Sequence, residues 1–319
     1  MASSSASITF HLPGPGFSFR AKLLVDENPD VVEQVLAQLP LKSVLGHVVI
    51  AGETFWTPTR IVHLGRNYMV QRHLGAVYLN APGQSICITY GKITESAKIN
   101  KFAEVFEEDL PKLEEIGRLV YQQTVALPRH TLMEVHILSE CCPRLERPEK
   151  HLPTAPSPSS MGHWLEVKAI IEKEIDRVWL EEPVEIQKLL LVHLEAYLMV
   201  MGGDVMSRFL KIAQYEDIQL PTLNRITKEF LVENFDLFEF MADLGLENMF
   251  KIGQMYSNAL ETLASKEEYI HLTGAMQTYI NRMHRWAYFI FPWHLGVAFP
   301  HRKSAEVLAF SNIVTAGLN

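Results

Sequence analysis

The chain has 319 residues, 48% of them hydrophobic and 21% charged, with a net charge of -8 at pH 7. That length exceeds one ordinary hydrophobic core and predicts two domains, while the negative balance, with basic residues scattered along the chain, excludes a nucleic-acid or anionic-membrane surface as main partner. Three cysteines, of which Cys141 and Cys142 are adjacent, cannot build a disulfide framework, and no Cys/His spacing matches a zinc site, so a cytoplasmic protein without a metal is expected.

No lysine or arginine precedes Arg20, so the N-terminus lacks the pattern of a signal peptide. "ITFHL" and "FSFRAKLL" flank a Pro-Gly-Pro-Gly turn and predict a hairpin. A helix follows, with Asn28 as cap, Pro29 at its first position and Val32, Val35, Leu36 and Leu39 on one stripe. "VLGHVVIAG", "TRIVHLG", "GAVYLNA" and "SICITYG" read as strands bounded by Gly, Pro or Asn. Residues 101–123 carry apolar side chains at helical spacing, with Pro111 predicting a break, and "HTLMEVHIL" reads as a last strand. A proline-rich linker is expected over 143–160. From residue 161 to 319 the periodicity is helical and predicts a bundle of four to six helices, the last long one opening on a capping box of Ser265 and Glu268. Strands first and helices afterwards give an α+β chain: a strand-rich domain over 1–142 and a helical bundle after the linker. The apolar run "WAYFIFPWHLGVAF" is too short to span a bilayer and contains Pro292 and His294.

The stretch "GHVVIAGETFWTP" places His47 and Glu53 on one face of an unbroken strand, roughly 20 Å apart and out of mutual reach. A reversal at Gly52 would bring both toward one barrel mouth, with Glu53 at a loop tip; otherwise each is an unrelated core or surface residue. Trp56 then floors a pocket or belongs to the core. "RIVHLGRNYMVQRHLGAVY" concentrates Arg60, Arg66, Arg72, His63 and His73, a candidate carboxylate-binding cluster because guanidinium forks match carboxylates. Tyr90 and Lys92 end a strand, where a proton donor and a cation can face a cleft. His193, His271, His284 and His294, with the many methionines of the second half, read as core or interface.

The chain's only Gly-x-Gly pair, Gly14 and Gly16, lies in a hairpin turn, which weighs against a nicotinamide dinucleotide fold. Walker, His-Glu-x-x-His and Gly-x-Ser-x-Gly patterns are missing from the sequence.

At "GETFWTP", "HLGAVYLNAPGQSICITYGKITES" and "NKFAEVFEEDLPKLEEIG" the chain resembles a bacterial family of small cyclophilin-like barrels. With the helical extension after residue 160 it resembles the cucumopine and mikimopine synthases, opine-forming enzymes of hairy-root plasmids. The resemblance implies a condensation of L-histidine with 2-oxoglutarate through an imine, closed by a Pictet–Spengler-type cyclisation that needs no redox cofactor, in the cytoplasm of a transformed plant cell. Chemistry then asks for a base and an acid, for which Glu53, His47 and Tyr90 are the candidates. It also asks for anchors for three carboxylates, for which Trp56, Arg60, Arg66, Arg72, His73 and Lys92 form the candidate pocket. No nucleic acid or membrane partner is expected, and the bundle is expected to make the protein a homo-oligomer. Two rival readings are a prolyl isomerase, which the barrel's likeness to cyclophilins suggests although their Phe-x-x-Gln-Gly-Gly segment is missing, and a barrel that binds small molecules without catalysis.

Overall fold

Nine strands form one antiparallel sheet in the order β2-β1-β9-β3-β4-β7-β6-β8-β5. A computed structural model of the protein describes residues 6–49, 51–140, 163–187, 193–233, 241–242, 245–291 and 293. The strands are β1 (Ser7–Leu12), β2 (Phe17–Leu23), β3 (Leu41–His47), β4 (Gly52–Pro58), β5 (Met69–Val70), β6 (Ala76–Asn80), β7 (Ser85–Ile93), β8 (Ile99–Val105) and β9 (Met133–Glu140). Pairing of β2 with β8, from Ala21 opposite Val105 to Leu23 opposite Ala103, closes eight of them into a barrel. Short β5 adds to β8 outside that ring. Closure leaves few open edges, which suits a sheet of this size.

The alternation along each strand sorts side chains into two cores. Leu45, Phe55, Val77, Ile86, Ile88 and Tyr90 point into the barrel, where Leu113, Ile116 and Val120 of α2 (Leu110–Tyr121) pack on them. Their neighbours Val44, Trp56, Ala76, Tyr78 and Cys87 face outward and are equally buried, against the helices. This half of the barrel is therefore apolar on both faces, and the bundle is what covers the second one.

The helical part contains α3 (His163–Arg177), α4 (Val184–Gln187), α5 (His193–Met199), α6 (Ser207–Ile212), α7 (Leu220–Lys228), α8 (Glu247–Ala259) and the central α9 (Lys266–Ile290). Ser265 caps α9 by accepting from Glu268 N–H, the predicted contact, while Glu268 Oε2 accepts from Ala264 N–H at 2.6 Å. Every residue of α9 from Leu272 to Phe289 is buried, because barrel and bundle meet around it. Its polar positions read the β6–β7 turn: Gln277 and Asn281 donate to Pro82 O, Gln84 donates to Thr278, and Arg285 donates to Ser85 Oγ. Among the described residues no helix is long and apolar enough to cross a membrane.

Several expected elements differ. Residues 101–105 belong to β8, and the helix starts at Leu110 with Pro111 in its first turn, where a missing N–H costs nothing. "TRIVHLG" is a loop, held by Thr59 N–H on Gln84 O and by His63 on Gln34 of helix α1 (Pro29–Ala37). Asn28 precedes α1 without capping it; its amide donates to Asn100 and to Lys101 O. After α5 the helical path widens into a turn of π type over Val200–Met206 before α6. The expected linker at 143–160, Cys141, Cys142 and His294 lie outside the described residues.

Candidate functional site

The chain does reverse between His47 and Glu53. β3 and β4 pair as a hairpin with His47 opposite Phe55, and Gly52 takes a φ of 106°, the left-handed region that favours glycine. Glu53 sits inside β4, not at a loop tip, and a bulge between Gly52 and Thr54 re-aims it. Its Oε2 accepts from Lys92 N–H at 2.5 Å, and its carboxylate lies across Gly91 so closely that a side chain there would collide with it. His47 is fully buried, with Nε2 2.8 Å from Tyr90 Oη, Nδ1 donating to Val48 O and its ring edge on Tyr121. Burial, then the Glu53 charge, pushes the Tyr90 phenol far above its ordinary value, so it stays a neutral donor. The structure thus brings Glu53, His47 and Tyr90 to one end of the barrel interior.

A separate cleft of about 430 Å³ opens on the outer face of the same strands. Tyr78 and Cys87 form its floor, and the loops after β4, β5 and β7 supply Arg66, Arg72, and Glu95 with Lys98, respectively. Arg72 is its most enclosed charge: the side chain is 6% exposed, donates to Ala51 O at 2.8 Å, pairs with Glu95 at 2.5 Å and lies 5.1 Å over the Tyr78 ring. His63 also lines the cleft. Gln34 occupies its Nδ1 at 3.0 Å, and with that amide donating the proton resides on Nε2. Burial lowers the pKa of His63, against the opposing pull of Asp30, so the ring is neutral at pH 7. Arg72 Nε is buried without a hydrogen-bond partner among the described residues, whereas the His63 ring lies against the Gly65 backbone, a weak acceptor contact that opposes the lowering of its pKa. Arg66, Lys98 and Lys211, the one lining residue from the bundle, form no ion pair among the described residues. Desolvation raises the Cys87 thiol to about 11, so it sits in the floor as a neutral group.

Of the residues expected to bind substrate, Arg66 and Arg72 line this cleft and the others do not. Trp56 is interface core: it is 1% exposed, stacked under the Arg285 guanidinium at 4.2 Å and packed on Tyr288 and Phe289. Arg60 reaches the bundle instead, pairing with Asp176 at 2.7 Å and covering Trp179. His73 belongs to a barrel-surface cluster with Glu104 and Lys101. Lys92 is exposed and contributes its backbone N–H to Glu53. Glu53, His47 and Tyr90 do not line the cleft either. Sequence reasoning missed Glu95, whose signal was the polar end "KITES" just past Tyr90. It also missed Lys211, which nothing in the sequence ties to the barrel.

Residues 189–290 match the cucumopine synthase C-terminal helical bundle domain. The resemblance drawn from the sequence is therefore borne out in the bundle. The fold of the whole chain is shared with McbB, solved in complex with tryptophan: 23% identity over 92% of this chain and 100% of that one, with a TM-score of 0.78. The hypothetical protein AF2241 from Archaeoglobus fulgidus is also similar, at 15% identity over 43% of this chain and 98% of its own, but a TM-score of 0.31 carries no argument. No curated protein matches the chain.

Proposed function

We propose that the chain is an opine synthase of the cucumopine type. It condenses L-histidine with 2-oxoglutarate in the cleft between barrel and bundle, without a redox cofactor. The observation that carries this reading is the donor set of the cleft: the enclosed Arg72 guanidinium, whose Nε lacks an acceptor among the described residues, with His63, Arg66, Lys98 and Lys211 lining the same space. Buried donors are nearly always satisfied, so a site of this kind suits a ligand rich in oxygen and negative charge. The two substrates bring three carboxylates and one keto oxygen. The matched bundle family and the fold shared with a tryptophan-bound protein support the same class of small, aromatic amino-acid substrate.

In this reading Arg72 holds a carboxylate and His63 donates Nε2–H toward the keto oxygen. The amino nitrogen adds to the keto carbon, and loss of that oxygen as water leaves an imine. The imidazole carbon attacks the imine carbon, forming the new C–C bond, and Glu95 takes the proton from that ring carbon so that aromaticity returns. The sum is both substrates minus one water, with no change of oxidation state. Glu95 replaces Glu53 as the base because it lines the cleft beside Arg72. The His47–Tyr90–Glu53 group then serves to fix the β3–β4 hairpin whose loop residues Val48 and Ala51 form one cleft wall.

The test is mass spectrometry of the purified chain with L-histidine and 2-oxoglutarate, without nicotinamide or added metal. An adduct of that mass, lost on boiling the protein, is expected. Unchanged substrates would overturn the reading and leave the barrel as a binder.

A further inference from the structure

The cleft is lined mainly by the barrel, and among the described residues Lys211 is the bundle side chain that reaches it. This lysine is placed by a chain of contacts that begins in the barrel. The wide π-type turn Val200–Met206 sets Gly202 against Asn281 of α9, with no room there for a Cβ, and puts Gly203 over Pro82 O. Asn281 donates to Pro82 O at 3.0 Å, and Pro82 itself lines the cleft. Phe209 and Leu210 are buried, which pins α6 and turns Lys211, half-buried, toward the cleft. Lys211 thus lines the same cleft as Arg72, has no ion pair among the described residues, and is free to meet an anion that enters there.

We propose that Lys211 holds the distal carboxylate of a dicarboxylate keto acid whose proximal carboxylate lies on Arg72, so that the bundle sets selectivity for a diacid. This assignment rests on the cleft being the condensing site. It also gives the bundle a chemical task, since a monocarboxylate reaches the barrel wall alone. Two charge-assisted contacts in one cleft select for the second carboxylate as well as the first.

The experiment titrates the full-length protein by calorimetry with glutarate and with pentanoate, which match in carbon number and differ by one carboxylate. Glutarate is expected to bind at least about tenfold tighter, and K211M to reduce that preference to about twofold while K211R retains most of it. In turnover, K211M is expected to raise KM for 2-oxoglutarate about tenfold with kcat changed little, since the contact is uniform across the reaction. K211M and wild type should melt together, because the side chain is not core. A K211M protein that melts normally and keeps the full glutarate preference would overturn the assignment, as would a wild type without any preference. The two readings separate cleanly: glutarate selectivity that depends on Lys211 in a protein making no adduct keeps this site and removes the opine reaction. Adduct formation with unchanged selectivity in K211M does the reverse.

Discussion

Arg72 and Glu95 show why a cationic cluster is a better guide than any one of its members. The sequence groups Arg60, Arg66 and Arg72 within a dozen positions, yet only the last two reach the cleft. Arg60 instead meets Asp176, more than a hundred residues away in sequence. Local density reports that a loop is polar; which guanidinium is enclosed depends on the partner that folds over it. Glu95 was legible only as part of a polar strand end, since a carboxylate gains its role from the arginine it faces. Two outcomes follow from the pair. R72M should lower kcat/KM by about a hundredfold or more, because it removes a charge-assisted contact and leaves Glu95 unpaired. E95Q should lower kcat by about a hundredfold to ten-thousandfold with KM changed little. Steady-state kinetics in both substrates check each. An E95Q enzyme with full turnover would return the base to Glu53.

At the scale of elements, burial on two faces decides what a sequence can reveal. The β1–β2 hairpin, α1 and the opening of α9 were legible because each carries its own turn or cap: the Pro-Gly-Pro-Gly turn, Pro29 and Ser265. β8 was not, because its apolar residues Ile99, Phe102, Ala103 and Val105 break strict alternation, and the i, i+3, i+4 spacing of the first three satisfies a helical template. The same double burial gives Gly46 its importance. Gly46 sits in β3 directly beneath the Trp56 ring, and a Cβ there would meet the indole at 2.1 Å. The indole cannot retreat, since Arg285, Tyr288 and Phe289 surround it. G46A is therefore expected to destabilise the protein by about 3 kcal/mol, with loss of the native near-ultraviolet signal of the interface aromatics. Chemical denaturation of the variant measures this, and a loss under about 0.5 kcal/mol would show that the interface has slack.

For the whole molecule, the sequence predicted two domains joined in series, and of the two cores the one outside the barrel is shared between strands and helices. Trp56, Tyr78 and Cys87 of the barrel share a cluster with Trp164, Trp286 and Tyr288 of the helices, and α9 is buried by both parts. Such a join is invisible in sequence because the residues that make it are simply apolar on both sides. It also sets how stability responds to acid. His63 at the cleft and His284, bonded to Glu195 at 2.7 Å, are buried, His130 against Phe289 is half-buried, and desolvation lowers each pKa below the usual 6.5. The unfolded chain takes up these protons near pH 6.5 while the folded one resists them, so stability is complete above that pH and falls as pH drops through it toward the lowered folded values. Thermal midpoints from pH 8 to 5 should show that decline, and a flat profile would place these rings outside the buried interface. The shared core makes a stronger demand on the barrel taken alone. A fragment ending near residue 155 would expose Val44, Trp56, Ala76, Tyr78 and Cys87 as one apolar face, and exposed patches of this kind drive association. The fragment should aggregate or bind a hydrophobic dye strongly where the full chain does not. A soluble, monomeric fragment with a sharp unfolding transition would mean that the barrel folds first and the bundle only docks on it.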